Sequence, residues 1–212
     1  TSVANSVEED VIAKLKDRGF KSPVNLGIGA SEVVLLNAAF GKENGRDVVY
    51  ATANGGVFNV VDVKDNKLIF SQQLAKVSQV WSHTIASNGT VYIAALGEGN
   101  VGELWSYSPT TKVVEKLGTP NAGHQAWSST TDDNGNAYIG TYAEGDGRIY
   151  KYDGATKSFV DFGKIDADNA SYIRSLEYHD GYLYAGLGVE GKVYRINVET
   201  MEKEEITKNV PD

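Results

Sequence analysis

The feature that most constrains this 212-residue chain is a pattern that returns about every 45 residues. The tetrapeptides WSHT and WSST start at Trp81 and Trp127, 46 positions apart, and each stands ahead of a Gly-containing turn and a tyrosine. These tyrosines, Tyr92 and Tyr138, are followed after a further 46 positions by Tyr184. A period of this length is typical of folds that stack one structural unit several times, so the repeat decides the architecture of the whole chain.

Each repeat divides into four short segments with the pattern of β-strands. Three copies agree along their length and a more divergent copy precedes them, at residues 32–74, 79–118, 125–163 and 172–206. Runs such as VWSHTIA, VYIAAL and ELWSYS alternate polar with apolar residues or are short and apolar, as strands do. Asn-Gly or Asp-Gly pairs at 88–89, 134–135 and 180–181 suit the two positive φ values of a type I′ turn, which predicts a tight hairpin. The first copy has GKENGRD at 41–47 instead, which predicts a longer turn there.

Four antiparallel strands in about 45 residues predict the blade of a β-propeller. One such sheet has two apolar faces, and radial stacking of several sheets covers both. Trp81 and Trp127 would then be wedges at the same place in neighbouring innermost strands. We therefore predict an all-β fold, a β-propeller with about four four-stranded antiparallel blades in residues 32–212. A lead-in precedes it at residues 1–31, where EEDVIAKLKDRGF favours a short helix.

The number of blades raises the question of how the ring closes. Closed propellers usually have about four to eight blades, so four copies lie at the lower limit. The last residues, TKNVPD, resemble the approach to another strand, and we expect the chain to be part of a larger propeller. The alternatives are a four-bladed ring and a ring completed by a second copy. The remaining blades or that second copy would be partners of this chain.

Composition excludes several classes of function. The net charge of −8, without a basic stripe, argues against nucleic-acid binding. The absence of cysteine removes disulfides and thiolate metal sites. No apolar run approaches the roughly 18 residues that span a bilayer, so we expect no membrane span. The opening TSVANSVEED would suit a chain trimmed after a signal peptide, and we expect an extracellular or cell-envelope location.

The first copy resembles a known repeat. DVVYATANGGVFNVVDVKDNKLIFSQQL is similar to the repeat of quinoprotein-type (PQQ-like) propellers, in which a strand like VYxAT precedes a Gly turn, an aromatic strand and a charged turn. The WSxT, NG, YxGT and GxxYxYD pattern of the later copies resembles bacterial secreted propellers more broadly. The likeness, over roughly residues 32–206, implies the blade but no activity, because propellers serve as enzymes, scaffolds and sugar binders. The aromatic sandwich and Ca²⁺ site that a quinone needs are not traceable, so we expect no cofactor.

Candidate binding residues follow from the usual position of propeller ligands over the central channel. They lie before and within the WSxT segments and their equivalents, and are Trp81, His83, His124, Gln125, Trp127, Tyr142, Tyr172 and Arg174. Arg174 stands where two other copies have tryptophan. Aromatic rings stack on the apolar faces of sugars, and amides hydrogen-bond sugar hydroxyls. Carbohydrate is therefore the leading ligand class, with packing between blades as the other explanation of the tryptophans.

Two other functions fit the same residues. A polysaccharide lyase acting by β-elimination would use Arg or His to neutralise a uronate carboxylate and Tyr or His to transfer protons. Its candidate catalytic residues are His83, His124, Tyr142 and Arg174, although we lean towards a protein that is not an enzyme. A scaffold for protein interaction is the third hypothesis. DDNGN at 132–136 lacks the downstream Glu of a Ca²⁺ loop, and we expect no metal site.

Overall fold

The computed structural model describes residues 13–14, 16–19, 34–168, 170–188 and 191–207. These residues form four separate four-stranded sheets in which every hydrogen-bonded neighbour is antiparallel. The predicted all-β fold with four blades is therefore confirmed. In the lead-in, residues 13, 14, 16 and 17 are helical and residues 18 and 19 form a turn, and the other positions of the predicted helix lie outside the described residues. No helix in the described ranges is long and apolar enough to cross a membrane.

Each sheet is a simple meander whose strands follow one another in chain order. The first blade contains β1 (Leu35–Glu43), β2 (Arg46–Ala53), β3 (Val57–Asp62) and β4 (Lys67–Gln73). The second contains β5 (Gln79–Ile85), β6 (Val91–Leu96), β7 (Gly102–Ser108) and β8 (Val113–Gly118). The third contains β9 (Gln125–Thr131), β10 (Ala137–Tyr142), β11 (Arg148–Asp153) and β12 (Ser158–Lys164). The fourth contains β13 (Ile173–His179), β14 (Tyr182–Leu187), β15 (Lys192–Asn197) and β16 (Lys203–Glu205).

The hydrophobic core consists of three layers, one at each junction between successive blades. Tyr50 and Phe58 of the first blade pack with Ile93 and Tyr107 of the second. Equivalent layers join the second blade to the third, around Ala94 and Ile139, and the third to the fourth, around Tyr138 and Leu183. The innermost strands β1, β5, β9 and β13 contact one another in that order, so the blades are arranged around a common axis.

Burial of the second strand shows which blades have two neighbours. Every residue of β6 is buried, and all of β10 except its last residue. In β14 of the fourth blade, buried and half-buried residues alternate, because only one face meets another blade. Tyr92 and Tyr138 are buried, and Tyr92 donates a 2.9 Å hydrogen bond to the Gly135 carbonyl of the next blade. The equivalent Tyr184 is half-buried on the uncovered face of the fourth blade.

The hairpin turns differ in part from the sequence prediction. Asp180 and Gly181 both have positive φ, 52° and 82°, as a type I′ turn requires. Asn44 and Gly45 do the same in the first blade, so the turn predicted to be longer there is a two-residue turn between longer strands. In the Asn-Gly pairs of the second and third blades, Gly89 and Gly135 have positive φ and the asparagines do not. These turns have three residues, closed by hydrogen bonds from Ala86 N–H to the Thr90 carbonyl and from Asp132 N–H to the Asn136 carbonyl. The type I′ prediction was wrong for these two blades.

Candidate functional site

The candidate site is built on a β-bulge that recurs in the innermost strands. The pairing of β5 with β6 skips Trp81, that of β9 with β10 skips Trp127, and that of β13 with β14 skips Arg174. A bulge redirects the side chain of its unpaired residue. A small residue on the second strand lies beside each bulge, and in the third blade a Cβ on Gly140 would come within 2.6 Å of the Ile173 side chain. The three blades therefore present one redirected side chain each.

The redirected side chains meet one another. The indole rings of Trp81 and Trp127 stack with centroids 4.6 Å apart and planes within 5°. The guanidinium carbon of Arg174 lies 4.5 Å from the Trp127 centroid and 5.8 Å from the Trp81 centroid. If the guanidinium were stacked on the face of Trp127 that points away from Trp81, it would lie roughly 9 Å from the Trp81 ring, the sum of two stacking distances. Arg174 therefore lies beside the tryptophan pair and touches both rings.

Two tyrosines extend the aromatic surface. Tyr142, at the end of β10, and Tyr172, just before β13, form an isolated antiparallel bridge, and their rings stack at 4.5 Å. Their centroids lie 5.5 and 5.1 Å from that of Trp127. The neighbouring Tyr172 raises the pKa of the Tyr142 hydroxyl, which therefore stays protonated and can donate a hydrogen bond at neutral pH. A cavity of about 390 Å³ opens against Trp127, Tyr172, Arg174 and Gly188.

The two indole N–H groups have different surroundings, although their sequence contexts match. Trp127 Nε1 donates a 2.9 Å hydrogen bond to Oε1 of Gln125. In the second blade Gln79 stands at the same spacing before Trp81, but Trp81 Nε1 is buried without a hydrogen-bond partner among the described residues. Sequence reasoning included Gln125 and missed Gln79, and the signal was the repeated Gln-x-Trp. Gln125 thus holds one indole in place, and the other keeps a free donor.

His83 lies away from this aromatic surface, in the junction between the first two blades. It is 7% exposed, and its Nδ1 lies 2.9 Å from Oδ1 of Asn37 while its Nε2 lies 2.8 Å from the Thr52 hydroxyl. Because the amide oxygen can only accept, Nδ1 carries the proton and Nε2 accepts from Thr52. Burial lowers the pKa of His83 to about 4, so the ring is neutral. Its surroundings are those of a packed structural residue.

His124 is also buried, and belongs to a polar network of the third blade. Its Nδ1 lies 2.9 Å from Oγ1 of Thr141, and its Nε2 lies 3.4 Å from Oδ2 of Asp146. Asp146 in turn accepts a 2.8 Å hydrogen bond from Nε of Arg148. Burial lowers the pKa of His124, although Asp146 acts in the opposite direction. No hydrogen bond, ion pair or ring contact among the described residues joins His124 to the tryptophans or to Arg174. Asp146 and Arg148, in the loop AEGDGR at 143–148, were not among the predicted site residues.

The structure thus brings together five of the eight candidate residues, and a sixth, Gln125, supports them. The five are Trp81, Trp127, Tyr142, Tyr172 and Arg174. The remaining two, His83 and His124, are buried elsewhere. Within the described ranges, no group of three or more His, Asp or Glu side chains is arranged to hold a metal ion. The surface formed by the five residues is called the aromatic site below.

Comparison with solved structures identifies the fold. The chain superposes on streptogramin B lyase with a TM-score of 0.69, at 15% identity, over 85% of this chain and 56% of that one. It superposes on an auxiliary nutrient binding protein from Bacteroides thetaiotaomicron with a TM-score of 0.59, at 14% identity, over 81% of this chain and 41% of that one. For the β-propeller domain of Cps50 (Swd1) from Myceliophteria thermophila, the TM-score is 0.56, at 13% identity, over 74% of this chain and 51% of that one.

The chain therefore spans about half the length of these proteins. No family model and no curated protein matches it in sequence. At such low identity the likeness shows the fold alone. The four sheets and these neighbours together make this chain a β-propeller segment of four blades.

Proposed function

We propose that the chain is a β-propeller module that binds carbohydrate at the aromatic site. The observation that carries the proposal is that redirected side chains from three successive blades contact one another, and that two of them, Trp127 and Arg174, line one cavity. A tryptophan that only filled a junction between blades would not need a bulge to aim it. Trp81 and Trp127 are each partly exposed, and Trp127 lines the cavity.

The chemistry of the site suits a sugar ring. Trp127 and Tyr172 offer flat apolar surfaces, and a pyranose has an apolar face of C–H groups that stacks on such rings. The Tyr142 hydroxyl and the Arg174 guanidinium are donors beside those surfaces. The cavity of about 390 Å³ falls in the size range of small-molecule sites.

Location and subtype belong to the same proposal. One structural neighbour is named as an auxiliary nutrient binding protein, which supports a ligand-binding role. We place the module outside the cell or in the cell envelope, in keeping with the resemblance of its repeats to bacterial secreted propellers. In this proposal the PQQ-like resemblance concerns the sequence of the first repeat only, and no bound quinone is proposed.

A binding experiment tests the proposal directly. A glycan array, followed by calorimetry on the sugars retained, is expected to show binding that weakens about tenfold or more in Trp127→Ala and Tyr172→Ala, since each loses a buried stacking ring. Tyr182→Ala is the matched control, because Tyr182 is a half-buried tyrosine beside Arg195 in the fourth blade, outside the site. Absence of any glycan binding by the folded wild type, or equal losses in all three variants, would contradict the proposal.

The two other hypotheses are outcomes of the same experiment. A lyase needs a proton-transferring group next to Arg174, and both candidate histidines are buried away from it. Tyr142 is the remaining candidate for proton transfer, so a lyase would release unsaturated uronate in the wild type and not in Tyr142→Phe. If the protein neither bound a sugar nor formed a product, a scaffold for other proteins would be favoured.

A further inference from the structure

We infer that the ligand of the aromatic site carries a carboxylate and that Arg174 binds this group, so that the site is selective for uronic-acid sugars. This inference rests on the proposed function and deepens it. It depends on the pairing of the arginines and on the position of Arg174 beside the tryptophans.

Arg174 is the one arginine of the described blades that has no acidic partner. Arg46 is paired with Asp62 and Asp65, at 2.8 and 2.9 Å. The other two, Arg148 and Arg195, are paired with Asp146, Asp161 and Glu204, at distances of 2.6 to 2.8 Å. In a chain of net charge −8, acidic groups outnumber basic ones, so an unpaired exposed arginine is the exception. Arg174 makes no hydrogen bond or ion pair among the described residues, and its contacts are the two indole rings.

The position of Arg174 leaves its hydrogen-bonding groups free. Contact with an aromatic ring uses the charge and the flat face of a guanidinium, while the N–H groups lie in its plane. Two parallel N–H groups match the two oxygens of a carboxylate, and such pairs are the strongest that arginine forms. The indole rings also shield one side of the pair from water, which strengthens the attraction. The same side chain would give a neutral sugar only single, weaker hydrogen bonds.

The indole N–H of Trp81 is a separate feature of the aromatic site and does not bear on the charge of the ligand. Its Nε1 is buried and unpartnered among the described residues, while Trp127 Nε1 is satisfied by Gln125. Buried donors are nearly always paired, and an unpaired one marks a place where an oxygen from outside the chain belongs.

The experiment compares an acid with its neutral counterpart. The probes are trimers of galacturonic, mannuronic and glucuronic acid, each as the free acid and as the methyl ester, which keeps the ring and removes the charge. We expect the wild type to bind at least one acid about tenfold or more tightly than its ester, since a charged hydrogen-bonded pair is worth more than a neutral one. In Arg174→Gln the acid is expected to lose this advantage, while the binding of the ester changes little.

Control variants separate charge from structure. Arg174→Lys keeps the positive charge but lacks the two parallel N–H groups of a guanidinium, and it should retain part of the preference for the acid over the ester. Arg195→Gln is the matched control: Arg195 lies 5.0 Å from the Tyr182 ring and is paired with Glu204, so acid binding should not change. Trp81→Phe keeps an aromatic ring beside Arg174 and removes the N–H, and the preference for the acid over the ester should remain.

The possible results are distinct. Equal binding of acid and ester, with Arg174→Gln unchanged, would overturn the inference and leave carbohydrate binding standing. Binding of neutral sugars on an array, with no uronate bound, would likewise overturn the inference and leave carbohydrate binding standing. If the folded wild type bound no sugar of any kind, the proposed function would fail and the inference with it.

Discussion

His83 shows how a single buried side chain makes the stability of this protein depend on pH. Burial lowers its pKa from 6.5 to about 4, while the unfolded chain keeps the ordinary value. Between pH 6.5 and about pH 4 the unfolded state therefore binds one proton that the folded state does not. Stability from this residue is fully present above pH 6.5 and is lost as the pH falls, by about 1.4 kcal/mol per pH unit.

Replacement of His83 tests this linkage. In His83→Gln the amide can donate to Asn37 and accept from Thr52, as the neutral ring does. We expect the free energy of unfolding to fall less between pH 6.5 and 4.5 in this variant than in the wild type, and the difference between the two losses should be about 2 kcal/mol. Urea unfolding at several pH values measures it, and His179→Gln, at an exposed position of β13, is the control. An unchanged slope in His83→Gln would contradict the pKa of His83.

Individual strands illustrate what could be predicted from sequence and what could not. The strand pattern and the four blades follow from period-2 alternation and from a Gly-containing turn in each repeat. Asn88 and Asn134 do not have positive φ, because their turns have three residues and not the two of a type I′ turn. An Asn-Gly dipeptide alone does not reveal how many residues its turn contains. The first hairpin, in contrast, looked long because its strands extend to Glu43 and Arg46.

The site was harder to predict than the strands. Sequence register aligned Arg174 with Trp81 and Trp127, and the bulges that aim all three follow from pairing with a neighbouring strand, which no local pattern encodes. His83 and His124 resembled functional residues because histidine near a channel can do chemistry. Their partners Asn37, Thr141 and Asp146 lie 17 to 46 positions away or on another loop, so burial and pairing became visible only in the fold.

The junction between the first two blades leads to a prediction about an ion pair. Glu43 at the end of β1 accepts hydrogen bonds from Tyr107 of β7, at 3.0 Å, and from Lys112 in the turn that follows. The Glu43 side chain is 3% exposed and that of Lys112 is 39% exposed. Lys112→Met should cost about 3 kcal/mol of stability because it leaves a buried carboxylate with phenol groups as its only side-chain neighbours for hydrogen bonding. Glu43→Gln should cost only about 1 kcal/mol, because the freed ammonium reaches water.

Thermal or urea unfolding of the two variants at neutral pH measures this asymmetry. Lys116→Met is a useful comparison, since Lys116 is paired with Glu103, whose side chain is 8% exposed and also accepts from Trp105 Nε1. Equal losses in Lys112→Met and Glu43→Gln would mean that the carboxylate is not held in a water-poor junction.

For the whole molecule, the two outer blade faces differ from the three covered junctions. Seven of the nine large hydrophobic residues that are exposed in the described ranges lie between positions 34 and 69. Phe40 is 62% exposed, and it alternates along β1 with Gly41 and Glu43, which face the second blade. At the other end, Tyr184 occupies the place where Tyr92 and Tyr138 meet a following blade. An apolar face of this kind in isolation favours association.

We expect this 212-residue chain, expressed alone, to self-associate head to tail, with the Phe40 face of one copy against the Tyr184 face of the next. Sedimentation velocity should give a mass above the 22.9 kDa of one chain, and Phe40→Ser should shift it towards that value. Val113→Ser is the matched control, because Val113 is 53% exposed on the outermost strand β8 and faces no junction. A clean wild-type monomer at micromolar concentration would show that these faces do not pair between copies. If Phe40→Ser and Val113→Ser weakened association equally, the cause would be nonspecific hydrophobic association of the surface. It would then not be radial stacking, the interaction that holds the blades of this chain together.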